Sequence, residues 1–225
     1  MKIEVNQVDA AQARSLPDGK FGFGKIFTNH MLTRQYTGDG GWEDANIQPY
    51  GPISMSLSMS VLHYAQEIFE GTKAYRRPDG KINLFRIDQN IKRFNRSAKR
   101  MELPQMDEEE HLEAIVQLIE LDHEWVPSQP NSSLYIRPTL VCNEETIGAL
   151  NGNDSLFFVL LSPVDPYFAT GFAPISVFVE DEYVRAVRGG VGEAKTGGNY
   201  AASLHATDKA IKACLLYTSP SPRDS

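Results

Sequence analysis

The segment "GGVGEAKTGGNY", residues 189–200, sets five glycines around a single lysine, Lys195. Glycine loses more backbone freedom on folding than any other residue, so this stretch suits neither a helix interior nor a strand. It demands a tight turn between regular elements, and "NYAASLHATDKAIKA" behind it has the composition of a helix. Two readings fit. Lys195 is a surface charge on a glycine turn, or the glycines let backbone close on a flat ligand that the amine engages. A lysine that attacks a carbonyl must lose its proton near neutral pH, which takes burial or a neighbouring positive charge. Gly197 and Gly198, at the start of the expected helix, also offer N–H groups to an anion.

The 225 residues, 41% hydrophobic and 23% charged, are enough for one large or two modest domains with a real core. Short strand-like pieces fill residues 21–60, and "VLHYAQEIF" is expected to form a short helix closed by Gly71. "TKAYRRPDGKINLFRI" predicts a hairpin around Pro-Asp-Gly. Two helices are expected next. One carries Ile91, Phe94, Ala98 and Met101 on one face; the other carries Leu112, Ile115, Val116 and Ile119, with Asp107 and Glu110 as its capping pair. "LYIRPTLVC" and the continuous apolar run "SLFFVLLSP" predict strands, as do "APISVFVE" and "YVRAVRGG". Cys142 is expected to be a core thiol on its strand. The class is α+β, divided into a domain over 1–142, a connecting loop over 143–153 and the start of a second domain over 154–213. Residues 214–225, "CLLYTSPSPRDS", show no core pattern and taken alone suggest a disordered terminus.

A net charge of −7 argues against nucleic acid or an anionic membrane as partner. No apolar run has the length of a signal peptide or a bilayer span, and the two cysteines share no metal-type spacing, so a cytoplasmic protein without a metal site is expected. There is no Ser-His-Asp pattern and no P-loop.

Other residues carry chemistry at lower specificity. "NIKRFNRSAKRM" holds Lys92, Arg93, Arg96, Lys99 and Arg100, either a solvated face or, through Arg93 and Arg100 beside the apolar stripe, arginines turned onto a phosphate. "YIRP" puts Tyr135 and Arg137 on one side of a strand, as a carboxylate reader or as an edge arginine at the surface. Tyr200 can hydrogen-bond a ligand oxygen or simply pack, and Tyr64 and Phe69 are core or pocket walls.

Together "FGKIFTNHM", "HYAQEIFEGTKAYR", "LFRIDQNIKRFNRSAKRMELP", "SLYIRP", "PYF" and "GGVGEAKTGGNYAAS" resemble, in order, the branched-chain amino acid aminotransferases, pyridoxal-phosphate enzymes of fold type IV. The resemblance runs from about residue 20 to Ala213 and is most specific around Lys195. It implies a two-domain enzyme, a small N-terminal domain plus the beginning of a cofactor-binding domain, that passes the amino group of leucine, isoleucine or valine to 2-oxoglutarate. Lys195 matches the lysine that holds pyridoxal 5'-phosphate covalently and moves the proton between substrate Cα and cofactor. Tyr200 matches the tyrosine at the cofactor's phenolic oxygen and Arg93 an arginine at its phosphate. Phe23, Tyr64, Phe69, Tyr135, Arg137 and Tyr167 match the substrate pocket. The 143–153 loop matches one that reaches the neighbouring site in the family's homodimer.

The family continues well past the helix after Lys195, and that part carries the acid paired with the pyridine nitrogen. Residues 214–225 depart from it. The chain as written is therefore expected to be a C-terminally truncated reading frame with a foreign end, inactive, and with strands such as "SLFFVLLSP" left exposed. The alternatives are another fold-type IV enzyme (a D-amino acid aminotransferase or an aminodeoxychorismate lyase) and a non-catalytic fragment.

Overall fold

The computed structural model describes residues 1–149, 151–168, 173–213 and 216–218, the last three as backbone. Short elements open the chain: β1 (Ile3–Val5), β2 (His30–Thr37), β3 (Gly41–Trp42), β4 (Ala45–Pro49), α1 (Ser60–Tyr64), β5 (Glu67–Phe69), β6 (Thr72–Arg76) and β7 (Ile82–Leu84). Two helices follow, α2 (Ile87–Arg100) and α3 (Glu108–Leu121), then the long strands β8 (Ser133–Cys142) and β9 (Ser155–Val164). β10 (Val177–Val179), α4 (Gly197–Ala201), α5 (Leu204–Lys212) and β11 (Leu216–Thr218) complete the α+β order.

One nine-stranded sheet, in the order β1-β4-β2-β9-β8-β6-β7, organises the fold; β3 joins it on β2, and β5 on β8. Its centre is the β8–β9 ladder, antiparallel from Ser133 opposite Val164 to Cys142 opposite Ser155. On its other side β8 meets β6 and then β5. Pro138 lies mid-strand, where a missing N–H would normally break a ladder. Its carbonyl accepts from Glu70 N–H at 2.8 Å, so its nitrogen side faces the join between β5 and β6, where no ladder partner is lost.

The sheet runs through the expected division of the chain. "SLFFVLLSP" forms β9, sandwiched between β2 and β8, with Phe157, Val159 and Leu161 buried rather than left exposed. The expected 143–153 loop falls between β8 and β9, which pair with each other as an antiparallel hairpin. Within 214–225, residues 216–218 pair in parallel with β10, and the other residues lie outside the described ones.

Helices α2 and α3 cover one face of the sheet. Ile91, Phe94 and Ala98 of α2 and Ile115, Leu118 and Ile119 of α3 pack with Ile68, Leu134, Ile136, Leu140 and Phe157. Asp107 caps α3, accepting from the N–H groups of Glu109 and Glu110, both at 3.0 Å. Glu110 completes no capping box; it pairs with Arg34 at 2.9 Å instead. The buried face of α3 is also rotated from the expected stripe. His111 is buried while Leu112 and Val116 are only partly covered. The His111 ring stands edge-on to Phe94 and Phe157, at 5.0 and 4.9 Å between centroids, and neither ring nitrogen has a hydrogen-bond partner among the described residues. Burial, helped by the Arg34 charge, lowers its pKa to about 3.

Local propensity is overridden in four further places. The helix expected over "VLHYAQEIF" stops at Tyr64, because Ala65 turns left-handed (φ 51°) and Glu67–Phe69 is recruited as a strand by β8. "YVRAVRGG" forms turns rather than a strand, and the helix after Lys195 is split into α4 and α5. "GPISMSLSMS" forms no strand up to Ser58. The hairpin of β6 and β7 turns, as expected, through Gly80 at φ 82°. Among the described residues no helix is long and apolar enough to cross a membrane.

Candidate active site

The backbone around Lys195 is held from three directions. Its N–H donates to Ser97 Oγ of α2 at 3.0 Å, and its carbonyl accepts from Phe69 N–H of β5 at 2.9 Å. The N–H of Gly197 donates to the Glu67 carboxylate, also on β5. The buried Asn199 side chain closes the glycine loop on itself, donating to the carbonyls of Val191 (2.9 Å) and Ala194 (2.8 Å). Glycines make the loop possible; these contacts make it one conformation.

On that frame the amine has a fixed outlook. Lys195 Nζ donates to Tyr200 Oη at 2.7 Å and stands 4.2 Å from the centre of the Phe69 ring. Tyr200 reaches this point because α4 starts at Gly197 and turns its fourth residue back over Phe69, at 5.0 Å between rings. The amine opens on a cleft of about 960 Å³ lined by Arg93, Arg96, Lys99, Arg100 and Arg185, with Glu193 as its one acid among the described residues. Crowded cations make a wall for an anion such as a phosphate.

Arg93 is the best-fixed of these. Its Nε and Nη2 donate to the carboxylate of Glu70 at 2.5 and 2.8 Å, and Glu70 also accepts from Gly71 N–H and Asn90 Nδ2, both at 3.0 Å. The Glu70 hydrogen bonds hold the Arg93 guanidinium above its ordinary pKa. Arg100 is tied instead to the glycine loop, donating to the Gly190 carbonyl at 3.1 Å.

A second group continues from Phe69. The Arg137 guanidinium lies 4.7 Å from its ring centre and donates through Nη2 to Tyr135 Oη at 3.2 Å. Arg137 Nε is buried without a partner among the described residues. Tyr135 meets Phe23 edge-on at 5.0 Å, and Phe23 meets Tyr167 at 6.3 Å. Glycine is required at 71 because a Cβ there would collide with Tyr135 Oη. Thus Lys195, Tyr200, Arg93, Phe69, Arg137, Tyr135, Phe23 and Tyr167 form one connected array. Tyr64 stands apart: its hydroxyl donates to the Ile147 carbonyl at 2.5 Å, in the β8–β9 connection.

The idea that Gly197 and Gly198 offer free N–H groups to an anion needs correction at Gly197. Gly197 N–H is taken by Glu67, and α4 is only five residues long. Sequence reasoning also missed Glu67, Glu70, Ser97 and Arg185. Only the two acids left a trace, as charges in the otherwise largely apolar "QEIFEG".

Amino-transferase class IV matches residues 67–216, two thirds of the chain. The chain belongs to that family. It is 50% identical over 196 residues to branched-chain-amino-acid transaminase 1 of Bacillus subtilis (strain 168), covering 86% of this chain and 55% of the relative. It is 49% identical over 191 residues to the cytosolic branched-chain-amino-acid aminotransferase of Mus musculus, covering 84% and 50%. The chain therefore spans about half the length of these curated relatives. The solved branched-chain amino acid aminotransferase from Escherichia coli superposes with a TM-score of 0.62 over 87% of this chain and 59% of its own, at 21% identity. Another solved branched-chain amino acid aminotransferase, with pyridoxamine 5'-phosphate, superposes with a TM-score of 0.64 over 84% of this chain and 58% of its own, at 22% identity. These likenesses show a shared class IV fold. The relatives do not favour a D-amino acid aminotransferase or a lyase.

Proposed function

We propose that this chain carries the lysine-bearing site of a branched-chain amino acid aminotransferase that moves the amino group of leucine, isoleucine or valine to 2-oxoglutarate, with pyridoxal 5'-phosphate as cofactor. The observation that carries the reading is the Lys195 amine, held by Tyr200 over Phe69 at the mouth of a cationic cleft. The activity named for the Bacillus and mouse relatives supports the substrate class, and the solved relative with pyridoxamine 5'-phosphate supports the cofactor.

The donor set fits a planar, phosphorylated carbonyl compound. It offers an amine to bind the carbonyl, a phenol beside it and a clamped arginine in a positively charged cleft for the phosphate. When bound, the cofactor supplies an electron sink for negative charge at the substrate Cα. The protein's own tasks follow from position. Lys195 Nζ would hold the cofactor covalently and would move a proton at the substrate Cα, with Tyr200 Oη keeping the amine in line. Arg93, immobilised by Glu70, would hold the phosphate. Arg137 and Tyr135 receive substrate carboxylates, and the buried Arg137 Nε, unpartnered among the described residues, suits an acceptor there. Phe23, Phe69 and Tyr167 give the branched side chain an apolar wall and exclude water. Tyr64 donates to the Ile147 carbonyl in the 143–153 connection, the segment that in this reading reaches the neighbouring site of a homodimer. A cytoplasmic location belongs to the same reading.

The test is an assay of the full-length protein for glutamate formation from 2-oxoglutarate with leucine, isoleucine, valine and D-alanine as separate donors. Glutamate from the three branched-chain donors is expected. Turnover of D-alanine alone contradicts the proposal.

A further inference from the structure

Glu67 has no task in the reaction as proposed, yet it touches the lysine's own turn. On β5, Glu67 and Phe69 point to the same side, two residues apart. Phe69 lies beneath the Lys195 amine, and one step back the Glu67 carboxylate accepts from Gly197 N–H and from Thr196 Oγ1, the latter at 3.5 Å. A Cβ on residue 197 would collide with Glu67 Oε1, so glycine at that position is what lets the carboxylate reach the backbone. One short strand therefore ties the turn at both ends: Phe69 N–H holds the Lys195 carbonyl, and Glu67 holds Gly197 N–H. Gly197 is also the first residue of α4, whose fourth residue is Tyr200. A shift of Gly197 moves the amine and its phenol together.

We propose that Glu67 is a positioning residue for Lys195, locking the Thr196–Gly197 turn so that the amine stays over Phe69 and within reach of Tyr200. The role rests on Lys195 being the cofactor-bearing amine. It requires a hydrogen-bond acceptor at this point rather than a negative charge, so glutamine is a sufficient substitute and alanine is not. Burial pushes the Glu67 carboxyl above its ordinary range, opposed by the Gly197 N–H, the Thr196 hydroxyl and the charges of Arg137 and Lys195. A group so placed holds its acceptor oxygen with or without a proton.

The experiment uses the full-length protein as wild type, Glu67→Ala and Glu67→Gln, with two readouts. Hydrogen–deuterium exchange is followed in the cofactor-free proteins over the peptide containing residues 196–199, and affinity for added pyridoxal 5'-phosphate is measured by titration of its absorbance. In Glu67→Ala, exchange is expected to rise and affinity to fall by about tenfold each, with Glu67→Gln within about twofold of wild type on both. Wild-type exchange in Glu67→Ala, or a Glu67→Gln variant as impaired as Glu67→Ala, overturns the proposal. If wild type takes up no pyridoxal 5'-phosphate, the proposed function fails, while the exchange series alone still decides whether Glu67 locks the turn. Gly197→Ala supplies an independent reading of the same contact. Its effect on exchange is expected to be smaller in the Glu67→Ala background, where the colliding oxygen is gone, and simple additivity of the two effects contradicts the lock.

Discussion

Glu70 and Arg93 face each other fork to fork, with Arg93 Nε and Nη2 at 2.5 and 2.8 Å from a carboxylate that is 1% exposed. The pair is asymmetric, because the arginine is half-open to the cleft and the acid is not. Removing the arginine strands a buried charge; removing the acid leaves a cation that can turn to water. Arg93→Met is therefore expected to cost about 3 kcal/mol of unfolding free energy and Glu70→Gln about 1 kcal/mol. Urea unfolding of the two variants measures the difference, and a costlier Glu70→Gln contradicts the asymmetry.

Gly71 and Tyr135 give a second packing test. Gly71→Ala puts a methyl into Tyr135 Oη, and overpacking of this kind costs about 1–3 kcal/mol. Tyr135→Phe removes the oxygen that collides first and leaves the ring carbon Cζ, 2.7 Å from the added methyl, as the remaining close contact. The double variant is expected to lose less than the sum of the single ones, read from thermal unfolding.

His111 makes stability depend on pH. In the fold its pKa is about 3, against 6.5 for the free side chain. Above 6.5 both states are neutral and the residue contributes no pH dependence. As pH falls from 6.5 towards 3 the unfolded chain binds a proton that the folded chain refuses, and stability drops by up to about 1.4 kcal/mol per unit. His111→Phe is expected to flatten this acid limb, measured as the change in urea midpoint between neutral and mildly acidic buffer. An unchanged slope contradicts burial of a neutral imidazole.

Arg137 is expected to discriminate between substrates. In the full-length protein Arg137→Met should raise the KM for 2-oxoglutarate about tenfold and that for leucine by much less, because only the acceptor carries a second carboxylate to pair with the guanidinium. Equal rises in steady-state assays contradict a carboxylate-binding role.

The parts of the fold that could be read from sequence are those set by local pattern. The glycine-framed lysine, the β6–β7 hairpin and the extent of α2 depend on turn chemistry and helical spacing within a few residues. What was misread depends on distant partners. "EIF" becomes strand because β8 captures it, and "SLFFVLLSP" joins the first sheet because β2 waits on its open side. An apolar run signals burial and says nothing about which sheet buries it. The rotation of α3 follows from His111, a polar residue that no hydrophobic stripe would include. Glu70 pairs with a residue 23 positions away and Glu67 with one 130 away, separations at which sequence spacing carries no signal.

The role of Lys195 is tested most directly by chemistry on the lysine itself. Full-length protein is incubated with pyridoxal 5'-phosphate, reduced with borohydride and digested, and the modified peptide is sequenced by mass spectrometry. The pyridoxyl label is expected on Lys195, within "GEAKTGGNY", and to be lost in Lys195→Ala. A label on another lysine, or none at all, contradicts Lys195 as the amine that holds the cofactor.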